Sequence, residues 1–510
     1  MSWDRLYVVK SDGTFADTLK LLGLARLIYE IQQRNGINPN ESHIQVTDHG
    51  SHYLLEISPA IQEEWLRGCG FFMAAPFIAT EKSQGRLPPD VPADVDGIVV
   101  WYERERDKRA EYFRMREQYA EEAKKIGRRL DDHELNVALE AVRPHRHWEV
   151  LRLINPGALT GYNSLLAQWW ETGHSEAFPE LLRLLMELFA ETPNDVAVAY
   201  SRWSAIAKKT GQSAQADATS LQAYNPSKGK GQNRVKADGV KMDNVSDFWL
   251  IELLKASGFY EGALTKVLRG PGQPSRSNDR RTYVVSPTDV SYLDIRSIMD
   301  DFRGRMVWSE TSRKLDVLAS LRFTLAMLQR SVEPEGLELL KRLMQTGPRG
   351  VIGGFQTAFY KDLGQSAATM NISFLNLPGW VTISGPSAAS EYLEALREHE
   401  SIIRQFREDR GEDIELLGLY RDFMSGDELE PFFGFTAGYS GWLMSQREEQ
   451  GRGRQFRTDN LGRLLMNTEP KLHEIIESEG FQRVAYAIRQ ATVTAQYRRS
   501  RLQDRRYDTY

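Results

Sequence analysis

The sequence predicts an α+β fold: a mixed α/β amino-terminal and middle region followed by a carboxy-terminal helical bundle. Three observations lead there. Short β-rich clusters alternate with segments of helical period up to about residue 385, and from Ser387 onward the pattern is helical throughout. Hydrophobic residues make up 41% of the chain, with 11 Trp and 21 Phe, enough apolar surface for a large folded core. At ~100–200 residues per domain, 510 residues suggest two to four domains. The clearest division is a body over 1–385 and a bundle over 386–510.

The body opens with the strand-like LYVV. Leu21, Leu24, Ala25, Ile28 and Ile31 then share one helix face, with Asp17 and Thr18 as expected caps and Gly36 as the stop. HYLLEIS and GIVVWYE read as strands, separated by the Pro-rich LPPDVPADVDG. The charged run from Trp101 to Leu130 carries an apolar stripe of Tyr112, Met115, Tyr119, Ala123 and Ile126, which predicts a long solvent-facing helix. DDHELNVALEAV predicts a further helix, and NPGALTGYN a buried double turn before the aromatic LLAQWW. FPELLRLLMELFAET and DVAVAYSRWSAIAKKTG continue at helical period.

Ser246 is the expected cap of a helical segment running through LLKASGFYEGALTKV, with Ser257-Gly258 breaking it into two antiparallel halves. TYVVS reads as a strand. Three helices follow, then the Gly-rich GPRGVIGG and the strand-like ISFL and WVTIS. In the bundle, Tyr392, Leu396, His399, Ile403 and Phe406 align on one face. ELLGLYRDFM predicts another helix, and Phe481, Val484, Ala485, Ile488, Ala491 and Ala495 line a last one.

Charge excludes a global pull toward polyanions, since the net charge is −5. Any such affinity must be local. The only cysteine, Cys69, excludes an internal disulfide and a thiolate cage, and its apolar setting predicts a buried, inert thiol. No segment reaches ~18 uninterrupted apolar residues and no secretory leader opens the chain, so a cytoplasmic protein with no membrane partner is expected.

Two basic loops stand out. YNPSKGKGQNRVKADGVKMDN, 224–244, holds five basic residues against two acids, with Lys228, Lys230, Arg234 and Lys236 interleaved with glycine. The second loop, 269–281, carries Arg276, Arg280 and Arg281. If the helical element between them folds back on itself, the loops form one basic rim. Glycine lets backbone amides approach a phosphate, and Gln232 and Asn233 offer donors and acceptors to base edges, suited to the minor groove. The plain alternative is an ordinary polar surface loop. GRGRQFRTDN adds Arg452, Arg454 and Arg457. The tail after Phe481 adds seven arginines against two aspartates, including Arg498, Arg499 and Arg501, with Tyr497 and Tyr507 available for stacking.

Signals for catalysis are poor. GPRGVIGG lacks the Lys-Ser/Thr ending of a phosphate loop and predicts a plain turn. Asp131, Asp132 and His133, with His145 and His147, can be imagined as metal ligands, but no HExxH or paired-cysteine spacing supports them. Asn155, Thr160 and Asn163 can form a polar contact site or simply complete the turn. A non-enzymatic binding protein without cofactor or metal is expected. A metal-dependent nucleic-acid-processing enzyme and a protein-binding scaffold are the alternatives.

The strand followed by DTLKLLGLARLIYEI, the middle with basic loops, the helical end and the closing YAIRQATVTAQYRRSRLQDRRYDTY together resemble the large subunit of a type I CRISPR Cascade complex, nearest the I-B, Myxan-like group. The resemblance covers the whole chain in layout and is most specific at its two ends. It implies a subunit that works with crRNA and target DNA, reads the protospacer-adjacent motif on duplex DNA and aids strand separation. It also implies backbone, foot and small subunits as partners and recruitment of a helicase-nuclease. Base pairing would read the long sequence and protein only the short flank. In some relatives an internal start yields a separate small subunit, for which Met370, Met344 or Met424 is available. The sequence also ends at Tyr510 amid a helix-like, charged run with no stop signal, which leads to the expectation that the natural protein extends further.

Overall fold

The computed structural model describes residues 1–81, 87–92, 95, 97–126, 138–145, 156–213, 215–227, 245–268, 279–306, 311–363, 367–426, 428–448, 453–468 and 470–491. It has the expected α+β character, with small, mostly antiparallel sheets packed among helices and a helical carboxy-terminal region.

The amino-terminal part contains β1 (Ser2–Val9), α1 (Phe15–Arg34), β2 (His43–Asp48), β3 (His52–Gln62), α2 (Glu63–Gly68), β4 (Phe77–Ala79), β5 (Val99–Trp101) and α3 (Tyr102–Lys125). A helical layer follows: α4 (Pro156–Gly173), α5 (Phe178–Phe189) and α6 (Val196–Thr210). The middle holds β6 (Asp217–Thr219), β7 (Ser246–Phe248), α7 (Trp249–Gly262), β8 (Ala263–Val267), β9 (Arg280–Pro287), β10 (Asp289–Ser291), α8 (Tyr292–Arg305), α9 (Ser312–Ser331), α10 (Leu337–Val351), β11 (Ile352–Asp362) and β12 (Ala367–Asn376). The bundle comprises α11 (Pro386–Ile403), α12 (Gly411–Gly426), α13 (Leu429–Glu448), α14 (Thr458–Thr468), α15 (Pro470–Glu477) and α16 (Glu479–Arg489).

One sheet has the order β1-β3-β2-β10 and a second the order β12-β11-β9-β8, and every neighbouring pair in both is antiparallel. The apolar core is continuous from Trp3 on β1 to Leu464 on α14, so the bundle shares it with the body. Among the described residues, no helix is long and apolar enough to cross a membrane.

Several expectations change at specific residues. The cap of α1 is Thr14, whose hydroxyl accepts from Ala16 N. Asp17 instead accepts the N–H groups of Ser11, Asp12 and Gly13, and Thr18 bonds the Tyr53 hydroxyl at 3.0 Å. The NPGALTGYN segment is no double turn. Its residues from Pro156 onward open α4, as proline suits a first helical position. WVTIS is not a strand. In α3, Tyr112 is buried against Leu139, Phe113, Met115 and Val142, whereas Tyr119, and Ile126 just past the helix end, lie exposed.

The largest correction concerns the expected helical hairpin. Residues 249–262 form one unbroken helix, Ser246 lies in β7, and ALTKV is the strand β8. Ser257-Gly258 is a crossing point. A Cβ on Gly258 would sit 1.8 Å from Leu19 O, and one on Gly23 2.0 Å from Leu254 O, so α1 and α7 approach backbone to backbone. The absence of two side chains allows that contact.

Candidate nucleic-acid interface

The sheet β8–β9–β11–β12 brings two hairpin ends to one side. Arg280, at the start of β9, pairs with Tyr360, near the end of β11, so the β8–β9 turn and the β11–β12 turn leave the same end of the sheet. Leu268 N donates to Asp279 O at 2.8 Å and closes the first stem. The buried Asp279 carboxylate ties the two stems together, accepting from Lys361 Nζ at 2.6 Å and from Asp362 N at 2.8 Å.

A third stem reaches the same place. Strands β6 and β7 pair antiparallel, and Ser220 N donates to Val245 O at 3.0 Å, so the chain leaves and re-enters the fold beside itself around 228–244. On the outgoing side, Gln222 Nε2 donates to Ala367 O at 3.3 Å and to Thr369 Oγ1 at 3.1 Å. Its carbonyl accepts from Tyr360 Oη at 3.2 Å. The Tyr360 ring also carries the Arg280 guanidinium at 5.4 Å. Tyr360 therefore touches the stems of both basic segments. The sheet brings those stems together by long-range strand pairing, rather than the helical hairpin expected from sequence.

The stem of 228–244 is anchored on buried charge. Lys255 Nζ donates to Glu252 Oε1 at 2.7 Å and Asn225 Oδ1 at 2.8 Å, and lies 3.4 Å from Asp247 Oδ2. Asn225 Nδ2 donates to Glu252 Oε2 at 2.9 Å and to Leu221 O at 3.0 Å. Burial pushes the Glu252 carboxyl up, while Lys255 and Asn225 oppose the shift. On Lys255, burial works against the charge, but Glu252 and Asp247 outweigh it and hold its pKa above the ordinary value. Nearby, Lys20 Nζ donates to Val9 O, Ser11 Oγ and Asp17 Oδ1; burial lowers its pKa, partly offset by Asp17. Ser227 Oγ reaches Asp12 Oδ1 at 3.3 Å, the last described contact before the basic segment.

Of the residues singled out from sequence, Lys228, Lys230, Gln232, Asn233, Arg234, Lys236, Arg276, Arg452, Arg498, Arg499 and Arg501 lie outside the described residues. Arg280 is largely buried, its Nε has no hydrogen-bond partner among the described residues, and burial lowers its pKa. Arg281 pairs with Asp316, which also accepts from Tyr283 Oη at 2.8 Å; its side chain is 12% exposed, so its charge is engaged internally. Arg454 is exposed, with its backbone bonded to Gln405 and Tyr439, and Arg457 pairs with Glu394. Their hydrogen bonds and ion pairs run within the bundle.

The other candidates resolve simply. His145 N donates to Glu105, whereas Asp131, Asp132, His133 and His147 lie outside the described residues. Among the described residues, no group of three or more His, Cys, Asp or Glu is placed to hold a metal ion. Asn163 is structural, clamping Ile78 through both its N–H and carbonyl groups, Thr160 is exposed on α4, and Asn155 lies outside the described residues. Burial pushes the Cys69 thiol up to about 11, as an inert thiol requires. GPRGVIGG breaks at Gly347, φ 69°, and runs directly into β11, with no strand-then-helix cradle.

Sequence reading missed Tyr360, Gln222, Asp279 and Lys361. The only available signal was the alternation in GGFQTAFYKD, which marks a strand but not its partners. No protein-family model matches the chain, and no curated protein does.

Proposed function

We propose that this chain is a non-catalytic nucleic-acid-binding subunit of a crRNA-guided type I surveillance complex. In this reading the segment 228–244 probes a short duplex motif beside the target, aids strand separation, and leaves degradation to a recruited helicase-nuclease. The observation that supports it is the convergence of both basic-segment stems on Tyr360, above the buried anchor of Asn225, Glu252 and Lys255. Several cations leaving one rigid base can track adjacent phosphates, and the released counterions offset the cost of ordering the chain. The resemblance in layout to Cascade large subunits supplies the guide-complex context.

The test is co-expression with neighbouring genes of the native operon. A discrete assembly of guide-length RNA and several proteins eluting with this chain supports the proposal. Elution alone and free of nucleic acid refutes it.

One observation favours a second reading, a protein-binding scaffold. Helix α16 is exposed along its described side chains, and Phe481, Val484 and Ile488 lie 46%, 60% and 59% exposed. Tight association with protein partners after complete nucleic-acid removal, with no duplex binding by the assembly, would select that reading.

A further inference from the structure

Strands β8, β9 and β11 place one guanidinium between two fixed walls. Arg280 on β9 stands directly opposite Val267 on β8 and Tyr360 on β11. Val267 and Tyr360 are both buried, the Tyr360 hydroxyl is tied to Gln222 O, and the guanidinium lies over the Tyr360 ring at 5.4 Å. Two neighbouring cations are matched, Lys361 by Asp279 and Arg281 by Asp316. Arg280 makes no ion pair among the described residues, and its buried Nε has no acceptor there. Burial works against its charge, and Tyr360 and Asp362 offset this only in part. An uncompensated charge in a low-dielectric setting is costly, so a counter-ion from outside gains more here than on an open surface. The side chain is only partly covered, which leaves it within reach of one. The flanking sequence supplies none: segments 269–278 and 364–366 contain Arg269 and Arg276 and no Asp or Glu.

We infer that Arg280 is kept for a phosphate group, seated against Tyr360 at the common root of the two hairpins. A guanidinium can donate two parallel N–H groups to phosphate oxygens, and the arginine-bearing, acid-free sequence beside it favours a multiply charged anion over a lone carboxylate. Only the source of the phosphate rests on the nucleic-acid reading. There it is a backbone phosphodiester, and Arg280 fixes the position of the strand without reading its sequence.

Pyrophosphate titrated at constant ionic strength separates the site from its source. The melting temperature of the wild-type chain should rise along a saturating curve, and Arg280→Gln should bind about tenfold more weakly. In chloride alone Arg280→Gln should melt within about 1 °C of wild type, because the charge it removes has no ion pair to lose. With the purified assembly, the same variant should weaken binding of every duplex alike, about tenfold at low salt, and flatten the slope of log K against log salt concentration by about 0.9. A linear rise with pyrophosphate shared by both chains is salt exclusion only and overturns the inference. So does an Arg280→Gln chain that melts well below wild type in chloride, or a loss confined to particular duplex sequences. Saturable, Arg280-dependent pyrophosphate binding by an assembly that captures no duplex upholds the phosphate site, with a small phosphate ester as its source, and refutes the nucleic-acid reading. Pyrophosphate binding unchanged in Arg280→Gln, with duplex capture that falls only when Lys228, Lys230, Arg234 and Lys236 are replaced, does the reverse.

Discussion

Replacing Glu252 by leucine removes the carboxylate that partners a nearly buried ammonium. The Lys255 side chain is 3% exposed and Glu252 is 0% exposed, so neither charge can turn to solvent. Breaking such a pair costs ~3–5 kcal/mol. The lower end applies here, because Asn225 Oδ1 at 2.8 Å and Asp247 Oδ2 at 3.4 Å remain to receive Lys255. The expected loss is about 3 kcal/mol. Taking ~2.1 cal/mol/K of unfolding entropy per residue, that loss lowers Tm by about 3 °C if the chain melts as one unit. Replacing both residues, Glu252→Leu with Lys255→Met, removes both charges and should lie within about 1 kcal/mol of wild type, well short of the sum of the two single losses, and that shortfall is the coupling the double-mutant cycle reads. Urea unfolding followed by tryptophan fluorescence measures all four species. A single Glu252→Leu cost below about 1 kcal/mol, or a double variant as damaged as the sum of the singles, would refute the buried anchor. The double variant also leaves Asn225 without its carboxylate, so duplex binding should weaken even where stability is restored.

Other consequences follow from single side chains. His399 is buried among Trp380, Tyr420, Phe432 and Phe456, and burial lowers its pKa to about 3 from 6.5. The unfolded chain takes up a proton below pH 6.5 that the folded chain refuses, so this stability is fully present above 6.5 and is lost as pH falls toward 3. At about 1.4 kcal/mol per pH unit, His399→Phe should lose about 2 kcal/mol less than wild type between pH 6.5 and about pH 5, and parallel acid limbs would contradict this. Gly258→Ala places a methyl 1.8 Å from Leu19 O, and circular dichroism should show an unfolded or strongly destabilised chain; a wild-type melt would refute the close crossing. Asp316→Ala strips Arg281 and Tyr283 of their shared acceptor, which should cost ~3 kcal/mol in urea unfolding, against near-wild-type stability if the pair is inconsequential.

Helical elements were legible because their period is local. Leu21 to Ile31 and Tyr392 to Ile403 mark buried faces that needed no partner to be recognised. Gly258 was misread because a glycine that breaks a helix and one that admits a neighbouring backbone look alike until Gly23 is known to face it. ALTKV carries no sign that it pairs with β9, and WVTIS has strand composition without a strand partner. The basic segments were visible from composition, but the meeting point of their stems was not. Tyr360, Gln222 and Asp279 lie in three different parts of the chain, joined by pairings that depend on the whole sheet.

The most direct test of the account is the salt dependence of duplex-DNA binding by the purified assembly. Wild type is compared with a chain in which Lys228, Lys230, Arg234 and Lys236 are all changed to glutamine. Each phosphate contact contributes about 0.9 to the slope of log K against log salt concentration, so loss of all four should flatten it by about 3–4 and weaken capture at low salt. Equal slopes and equal affinity in the two chains would contradict the claim that this segment is the nucleic-acid contact.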